Sequence, residues 1–305
     1  MENIIQIKNL SKSFGDLFAV NNISFNVKEG SLFAFLGLNG AGKSTTINII
    51  CGVYKKDSGS IIIDGKEIDS HFEEIKPLLG VVYQDSILDK QLNVKENLIC
   101  RASLYGINKE EFNKKIEYLD KLFRIKELFD RPVGKLSGGQ RRRVDIVRAV
   151  IHSPKILILD EPTTGLDPQT RKMVWEAIDL LRKQNNLTVF LTTHYMEEVT
   201  DADNVIILDK GQIVAEGSPL ELKNKFTGDF ITLYNISEDE IKMLGLPYQK
   251  LPDGFKLQVA STGEATNLII KFPKIFNDYE ITKGKMDDVF LSATGKNLSK
   301  GEFHE

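Results

Sequence analysis

The stretch Ser31–Ser44 reads SLFAFLGLNGAGKS. Its first six residues are almost wholly apolar, which is typical of a strand buried on both faces of a parallel sheet. The other eight, Gly37–Ser44, match the spacing G-x-x-x-x-G-K-S, and Ser44–Cys51 then has a helical pattern. A buried strand, a glycine-rich turn and a helix in this order predict a loop whose backbone N–H groups wrap a phosphate chain.

The residue types of this loop suit a nucleotide and a metal ion. Lys43 would bring a positive charge to the β- and γ-phosphates, and the Ser44 hydroxyl would ligate Mg²⁺. The helix that starts here points its positive end at the same anion. The loop therefore predicts a site for a Mg²⁺-bound nucleoside triphosphate.

Two acids follow a second buried strand. Ile156–Leu159 are all apolar, and Asp160 and Glu161 come directly after them, at the edge where open α/β sheets bind ligands. We expect Asp160 to hold the Mg²⁺ of the nucleotide, and Glu161 to act as the general base that polarises the attacking water. In the alternative interpretation both acids only solvate the end of the strand, but the neighbouring phosphate loop favours catalysis.

Strands and helices alternate through most of the chain. Residues 1–36 have strand patterns, and residues from about 85 to 150 turn helical. This order predicts an α/β fold with a largely parallel core sheet and a helical lobe. After about Leu222, short strand-like and helix-like pieces alternate, which predicts a small α+β appendix.

The composition excludes several classes of protein. The 305 residues include 40 Lys plus Arg and 43 Asp plus Glu, and the formal net charge of −3 argues against nucleic-acid binding by bulk positive charge. Hydrophobic residues make up 41% and charged residues 27%, as in a folded globular chain. Two cysteines exclude a disulfide scaffold, and no apolar run approaches the roughly 18 residues of a membrane span.

The pentapeptide Leu136–Gln140, LSGGQ, opens a further helix. Ser137 is a good N-cap residue, and the two glycines after it expose backbone N–H groups at a helix start, so the segment predicts a second anion site. Three arginines follow at Arg141–Arg143. We interpret them as a solvated basic face rather than a nucleic-acid patch, because the domain is close to neutral.

These motifs together resemble those of the ATP-binding cassette (ABC) family, and the resemblance covers residues 4–222 without a large gap. The family's other motifs occur in the same order. Phe14 is similar to the aromatic residue that stacks on adenine, and Gln84 to the glutamine of the Q-loop, which contacts Mg²⁺ and water. Asp167 lies in a segment similar to the D-loop, and His194 matches the switch histidine that contacts the γ-phosphate.

The resemblance implies a fold and a division into domains. The fold is a P-loop NTPase core with a mostly parallel sheet, an antiparallel N-terminal β-subdomain, a helical signature subdomain at about 85–150 and a small α+β C-terminal appendix. The nucleotide-binding domain would span residues 1–222, and an accessory domain would span residues 223–305.

The resemblance also implies site residues. Catalysis is assigned to three side chains, which are Glu161, His194 and Gln84. The metal ligands are Ser44, Gln84 and Asp160. The ATP contacts are one aromatic residue and the glycine loop, namely Phe14, Gly37, Leu38, Asn39, Gly40, Ala41, Gly42, Lys43, Ser44 and Thr45. A partner chain's ATP would be bound by the signature, namely Leu136, Ser137, Gly138, Gly139 and Gln140, with Asp167 in the D-loop.

Partners are implied in the same way. In this family two such domains close head to tail over two ATP molecules, and the glycine loop of one chain and the signature of the other share each nucleotide. The expected assembly is a homodimer on a separate integral-membrane permease. It would lie at the cytoplasmic face of the cell membrane, and no nucleic acid is expected.

Details of the chain resemble bacterial exporters of the daunorubicin-resistance type. These details are Leu38 in the glycine loop, the run Thr193–Glu198 and the segment Asp287–Leu291. Such a cassette would power export of a drug, a peptide antibiotic or a lipid-linked substrate. Two alternatives stay open: a non-transport ABC ATPase that is regulatory or nucleic-acid-associated, and an importer cassette.

Four apolar residues after Gln84 have two interpretations. In the family, a short cytoplasmic helix of the permease sits in a groove beside the Q-loop. Either that groove or the core of the helical lobe itself would contain Ile87, Leu88, Leu92 and Val94.

Overall fold

A computed structural model of the protein describes residues 2–295, so 296–305 of the predicted accessory domain lie outside the described residues. The chain divides into two compact units. The first contains the chain through Tyr195 with Ala202–Asn204 and Leu208–Ile213. The second contains Met196–Asp201, Val205–Ile207 and the chain from Val214 onward.

The described residues form strands and helices in alternation. The strands are β1 (Asn3–Phe14), β2 (Leu17–Lys28), β3 (Leu32–Leu36), β4 (Ser58–Ile63), β5 (Lys66–Glu67), β6 (Leu79–Val82), β7 (Ile156–Asp160), β8 (Thr188–Thr193), β9 (Asn204–Asp209), β10 (Gln212–Gly217), β11 (Asp229–Tyr234), β12 (Tyr248–Leu251), β13 (Gly254–Val259) and β14 (Tyr279–Lys283). The α-helices are α1 (Lys43–Ile50), α2 (Ile68–Ile75), α3 (Val94–Ser103), α4 (Lys109–Phe123), α5 (Gly138–Val150), α6 (Pro168–Asn185), α7 (Pro219–Phe226), α8 (Glu238–Lys242), α9 (Thr262–Lys271) and α10 (Met286–Ala293). Among residues 2–295, no helix is both long enough and apolar enough to cross a lipid bilayer.

Parallel strands form the centre of the first unit, in the order β3-β8-β7-β6. Strands β3, β7 and β8 are buried along their whole length. Their sequences are therefore mainly apolar rather than alternating, with Asp160 at the end of β7 and threonines at the two ends of β8 as the polar residues. Because the strands are parallel, all their carboxyl ends lie at one edge of the sheet. The glycine loop, Gln84, Asp160 and His194 lie at or just after these ends.

A second, antiparallel sheet of the first unit has the order β2-β1-β4-β5. Phe25 of β2 packs on three phenylalanines of the parallel sheet, namely Phe33, Phe35 and Phe190, with ring centroids between 4.9 and 6.2 Å apart. Each such aromatic pair contributes about 0.5–1.5 kcal/mol beyond the area it buries. This cluster fixes β3, and with it the start of the glycine loop.

The helical lobe has its own apolar core. Helices α3 and α4 are preceded by the N-cap residues Asn93 and Asn108, whose side chains accept hydrogen bonds from backbone N–H groups of the first turn. Leu88 and Val94 are buried, Leu92 is half-buried, and Ile87 is 56% exposed. Leu88 and Val94 therefore belong to the core of the lobe, and Ile87 alone of the four is a surface residue.

The interpretation of Arg141–Arg143 as a solvated face is wrong for Arg142 and Arg143, which are buried in α5. The Arg143 guanidinium donates to the carbonyls of Phe123 and Arg124, at 3.0 and 3.1 Å, and so binds the end of α4. A guanidinium has five donors and can be buried where backbone carbonyls accept from it. A neutral net charge does not reveal this, because the acceptors are main-chain atoms.

The second unit contains a four-stranded antiparallel sheet in the order β12-β13-β11-β14. The element order from β11 to β14 is β-α-β-β-α-β, the split arrangement of ferredoxin-like domains. One face of the sheet packs against α8 and α9, with Ile231, Leu233 and Leu257 fully buried. The predicted fold class is confirmed by both units: parallel α/β core, antiparallel N-terminal sheet, helical lobe and α+β appendix.

Candidate functional site

The glycine loop lies between β3 and α1, as its sequence predicts. Gly42 immediately precedes α1 with a φ of +104°, and a Cβ there would lie 2.3 Å from the carbonyl oxygen of Ala19. Only glycine fits that position, for two reasons. The positive φ is unfavourable for a residue with a side chain, and a Cβ atom would clash with the Ala19 carbonyl oxygen. The loop thus turns sharply and presents the N-terminus of α1 to the edge of the sheet.

Lys43 is the most buried cation of this edge, with a 4% exposed side chain. Its ammonium donates to the carbonyls of Gly37 and Leu38, at 2.7 and 3.2 Å, and lies 3.6 Å from Glu161 Oε1. Burial lowers the pKa of Lys43, and the charges of Glu161 and Asp160 oppose that shift. The ammonium is therefore held by carbonyls and carboxylates where the loop can present it to an anion.

Asp160 ends β7 and is also buried. Its Oδ1 accepts a hydrogen bond of 2.5 Å from the Thr192 hydroxyl and one of 3.3 Å from the Ser44 hydroxyl. The structure thus brings Ser44 and Asp160 together. A hydroxyl and a carboxylate are hard oxygen donors of the kind that Mg²⁺ prefers.

This donor set fits a magnesium ion that arrives with a nucleotide rather than one held by the protein alone. Residues 2–295 contain no group of three or more His, Cys, Asp or Glu side chains that could hold a metal ion. Mg²⁺ is usually bound by one or two protein oxygens, waters and substrate phosphates. Ser44 and Asp160 supply the protein oxygens.

Glu161 has a φ of +46°, which is uncommon for a residue with a side chain. Its backbone N–H donates to the carbonyl of Thr192 at 3.0 Å, which holds the residue beside β8. Such backbone conformations cost of order 1–3 kcal/mol and cluster at functional sites. Here the bend turns a carboxylate from the end of the sheet towards Lys43.

Four polar side chains converge on the Glu161 carboxylate. Lys43 lies 3.6 Å from Oε1, and His194 Nδ1 lies 3.2 Å from the same atom, a contact that is an ion pair only when the ring is protonated. The Gln84 amide and the Thr164 hydroxyl each donate to Oε2 at 3.4 Å. Of the three residues predicted to be catalytic, Gln84 and His194 therefore each contact the third, Glu161, at different carboxylate oxygens.

A cavity of about 630 Å³ opens at this edge. Of the predicted residues, its lining includes Phe14, Asn39, Gly40, Gly42, Lys43, Ser44, Thr45, Gln84 and Glu161. Phe14 is 48% exposed, with Tyr54 packed edge-on at 5.5 Å and the Lys12 ammonium over its ring at 5.4 Å. A nucleotide-sized space with an aromatic residue and a buried lysine in its lining suits an aromatic base attached to phosphates.

The cavity also has lining residues that sequence reasoning missed, namely Leu17, Phe18, Ala19 and Lys210. Leu17 and Phe18 are 70% and 55% exposed, although both are large and apolar. Two large apolar residues directly after a glycine turn, at the start of a strand, were the sequence feature that could have indicated a ligand-binding surface here. Lys210 lies in the turn between β9 and β10 and carried no motif.

The signature segment, Leu136–Gln140, lies outside the lining of this cavity. Ser137 caps α5 and forms a capping box with Gln140, with hydrogen bonds of 3.3 and 3.0 Å. Leu136 is buried, whereas Ser137 and Gly138 are exposed. The residues that line the 630 Å³ cavity include none of Leu136–Gln140, so these residues and Lys43 do not share that cavity.

Asp167 begins α6. Its two carboxylate oxygens accept from the Thr170 N–H at 2.9 Å and from the Thr170 hydroxyl at 2.6 Å. These hydrogen bonds, the side-chain one first, lower the pKa of Asp167. A Cβ on Gly139 would lie 2.8 Å from Thr170 Cγ2, so the signature helix and the start of α6 approach closely.

Comparisons with known proteins identify the family of the chain. Residues 20–164 match the family model described as ABC transporter. The chain is 33% identical over 310 residues to the Nod factor export ATP-binding protein I of Rhizobium sp. (strain N33), which covers 97% of this chain and 98% of the relative.

Solved structures give the same result. One is cbiO1 from Clostridium perfringens, part of the ABC transporter complex cbiONQ, with 31% identity, a TM-score of 0.67 and coverage of 73% of this chain and 91% of that chain. Another is the ATP-binding cassette MJ0796 in a dimeric, post-hydrolysis state bound to ADP and Pi, with 28% identity, a TM-score of 0.64 and coverage of 70% and 98%. The chain therefore belongs to the ABC transporter family, as an ATP-binding cassette that hydrolyses ATP.

Proposed function

We propose that this chain is the ATP-hydrolysing subunit of an exporter, and that it works on a separate membrane permease. The observation that carries the proposal is the convergence of Lys43, Gln84 and His194 on the Glu161 carboxylate, beside a nucleotide-sized cavity. Export is supported by the relative described above, which is named an export ATP-binding protein and aligns along 97% of this chain.

Each side chain has a role in the proposed reaction. The backbone N–H groups of Gly37–Ser44 and the Lys43 ammonium bind the phosphates. Ser44, Asp160 and Gln84 would hold Mg²⁺, which would supply positive charge against the phosphates. Glu161 accepts the proton of the water that attacks the γ-phosphate. His194, 3.2 Å from Glu161, contacts the γ-phosphate and orients the carboxylate. The strained backbone of Glu161 keeps the base at the edge of the sheet before substrate arrives.

The signature is assigned to the ATP of a second copy of this chain. Leu136–Gln140 do not line the chain's own nucleotide cavity, and Ser137 and Gly138 at the start of α5 are exposed. An exposed helix N-terminus is suited to an anion from outside the chain. The dimeric form of the relative bound to ADP and Pi supports a homodimer, with Asp167 at the head of α6 in the D-loop.

The assignment of domains and location follows from this function. Residues 1–222 act as the nucleotide-binding domain and residues 223–305 as an accessory domain. The chain lies at the cytoplasmic face of the cell membrane through its permease. A drug, a peptide antibiotic or a lipid-linked molecule is the expected class of cargo, and the cargo contacts the permease rather than this chain.

Co-expression with a candidate permease tests the proposed function. The purified complex in lipid vesicles should hydrolyse ATP, and a transported cargo should stimulate that hydrolysis. Stimulation by RNA or DNA without any permease would support the non-transport alternative instead. Cargo uptake into the cell by the same complex would support an importer.

The permease should dock beside Ile87, which is 56% exposed and lies three residues after Gln84 in the chain. We expect Ile87→Glu to abolish co-purification of the permease and cargo-stimulated ATPase activity, because a charge on an apolar contact must be desolvated. Basal ATPase activity should stay within about twofold, since surface substitutions rarely disturb a fold. Ile270→Glu, at a 72% exposed isoleucine of α9, is the matched control. Export and co-purification that survive Ile87→Glu would place the docking surface elsewhere.

Phe14 should contribute to nucleotide affinity rather than to turnover. Stacking of a base on an aromatic ring is worth about 1–3 kcal/mol, so we expect Phe14→Ala to raise the Kd for ATP by about 5- to 150-fold. Phe14→Tyr keeps a stacking face and should stay near the wild-type Kd. Fluorescence titration with an ATP analogue measures both variants. Equal affinities of wild type and Phe14→Ala would exclude Phe14 as the base contact.

A further inference from the structure

The side chain of Arg142 in α5 binds the backbone of the Gln84 segment, by which we mean Val81–Ser86. Arg142 is 7% exposed, and its two terminal nitrogens donate to successive carbonyls, that of Tyr83 at 2.7 Å and that of Gln84 at 2.9 Å. The planar fork of an arginine fixes direction as well as distance when both of its arms are bound. The backbone of Gln84 is therefore held by one side chain of the helix that the signature opens.

Two further contacts join the same helix to the same segment. The Ser86 hydroxyl donates to Asp145 Oδ1 at 2.9 Å, and Arg148 donates to the carbonyl of Val81 at 2.9 Å. Asp145 and Arg148 are buried, with 3% and 8% exposed. Arg142, Asp145 and Arg148 are spaced three residues apart on α5, so one side of the helix contacts the chain from Val81 to Ser86.

The Gln84 side chain is in turn close to the reacting groups. Its amide donates to Glu161 Oε2 at 3.4 Å, and Gln84 lines the nucleotide cavity. The Gln84 side chain is exposed and has several rotatable bonds. Within residues 2–295, the hydrogen bond to Glu161 is the one that its side chain forms. The position of its backbone thus determines where the amide can reach.

We propose that Arg142 is a positioning residue for hydrolysis, which fixes the Gln84 backbone relative to Glu161 and ties it to the signature helix. The inference rests on the proposed function, in which Gln84 contacts the metal and the attacking water. Arg142 itself touches neither the nucleotide cavity nor Glu161. A displacement of α5 would move the backbone of Gln84 with it. A movement of the signature at the start of α5 would therefore also change the position of Gln84 relative to Glu161.

The neighbouring arginine provides a matched control. Arg143 is 8% exposed and also donates to two successive carbonyls, but these are Phe123 and Arg124 at the end of α4. Arg142→Lys and Arg143→Lys therefore each remove from the same helix a buried guanidinium that binds two successive carbonyls, through two terminal nitrogens in Arg142 and through one in Arg143. Both should lower the Tm, and only Arg142→Lys should impair hydrolysis.

The test measures kcat, KM and Tm for both variants in the permease complex. We expect Arg142→Lys to lower kcat by about 10- to 100-fold, as for other residues that orient a reactive group, with the KM for ATP within about twofold. Arg143→Lys should keep kcat within about twofold. Equal losses of kcat in the two variants, or a loss confined to KM, would overturn the proposal.

A double-mutant cycle with Gln84→Ala separates positioning from general stability. If Arg142 acts through Gln84, adding Arg142→Lys to Gln84→Ala should lower the Tm but leave kcat within about twofold of Gln84→Ala. Additive losses of kcat would overturn the proposal. An inactive wild-type complex would instead contradict the proposed function, so the two failures are distinguishable.

A milder variant keeps the test open if Arg142→Lys fails to fold. Ser86→Ala removes one hydrogen bond between α5 and the Gln84 segment and leaves all charges in place. We expect a loss of kcat of about two- to tenfold, which the Gln84→Ala background again abolishes. An unchanged kcat for Ser86→Ala would contradict the proposal.

Discussion

Glu161→Gln is expected to bind Mg·ATP as tightly as the wild type and to lose about 10²- to 10⁴-fold in turnover, the usual contribution of a general base and a positioned water. Glutamine has nearly the same shape and keeps the space that the carboxylate occupies beside Lys43 and His194. It cannot accept a proton from water at neutral pH. The loss should therefore appear in kcat and not in Kd.

Phosphate release in a single turnover measures the chemical step, and filter binding of ATP measures the affinity. Glu110→Gln, at an exposed carboxylate of α4, is the control for the loss of one negative charge and should keep its full activity. A Glu161→Gln variant with near-normal kcat would remove Glu161 from the role of base. Weak ATP binding by the same variant would point to a structural role instead.

Lys43→Ala is expected to reduce kcat/KM for ATP by about 10²- to 10³-fold, the loss that follows removal of one preorganised charge at a reacting oxyanion. Lys43 is the buried cation next to the glycine loop, and its ammonium is already aimed by the carbonyls of Gly37 and Leu38. An alanine leaves both the phosphates and the Glu161 carboxylate without that positive charge.

Ligand-dependent stabilisation reports this effect without a catalytic assay. A ligand at 100 times its Kd stabilises a protein by about 2.7 kcal/mol, so saturating Mg·ATP should raise the Tm of the wild type clearly. The Tm of Lys43→Ala should hardly respond at the same concentration. Lys155→Ala, which removes a half-exposed lysine paired with Asp64, should respond like the wild type. A normal ATP-induced shift for Lys43→Ala would show that Lys43 does not bind the phosphates.

The parts of the site that the sequence could predict are those set by local rules. The strand, turn and helix around Gly37–Ser44 are consecutive, so the loop could be recognised without knowledge of the tertiary structure. The position of Asp160 and Glu161 at the same edge follows from the parallel sheet, because strands of this kind end together. The roles of these residues stay predictions until the variants above are measured.

The parts that could not be predicted depend on contacts between distant segments. The arginines after the signature have the composition of a solvated face, and only the packed structure reveals which carbonyls their guanidinium groups meet. The same holds for Ile87 and Leu88, which are neighbours in a loop. Their sequence gives no reason why one is 56% exposed and the other 5%.

In the α+β appendix, too, the sequence predicts some elements and not others. Its strands near 230, 255 and 279 and its helices near 238 and 264 could be inferred from short patterns, whereas β12 at Tyr248–Leu251 could not. That strand alternates weakly and follows a glycine and a proline, which mark turns. Its place at the edge of the sheet beside β13 is a tertiary fact.

A crystal structure of the Glu161→Gln variant with Mg²⁺ and ATP would show directly where the triphosphate and residue 161 lie. We expect a triphosphate on the backbone N–H groups of Gly37–Ser44, with Lys43 Nζ about 2.7–3.2 Å from a γ-phosphate oxygen. We also expect the side chain of residue 161 to lie beside a water molecule at that phosphate. Nucleotide bound away from the glycine loop, or a residue 161 turned away from the γ-phosphate, would contradict these expectations.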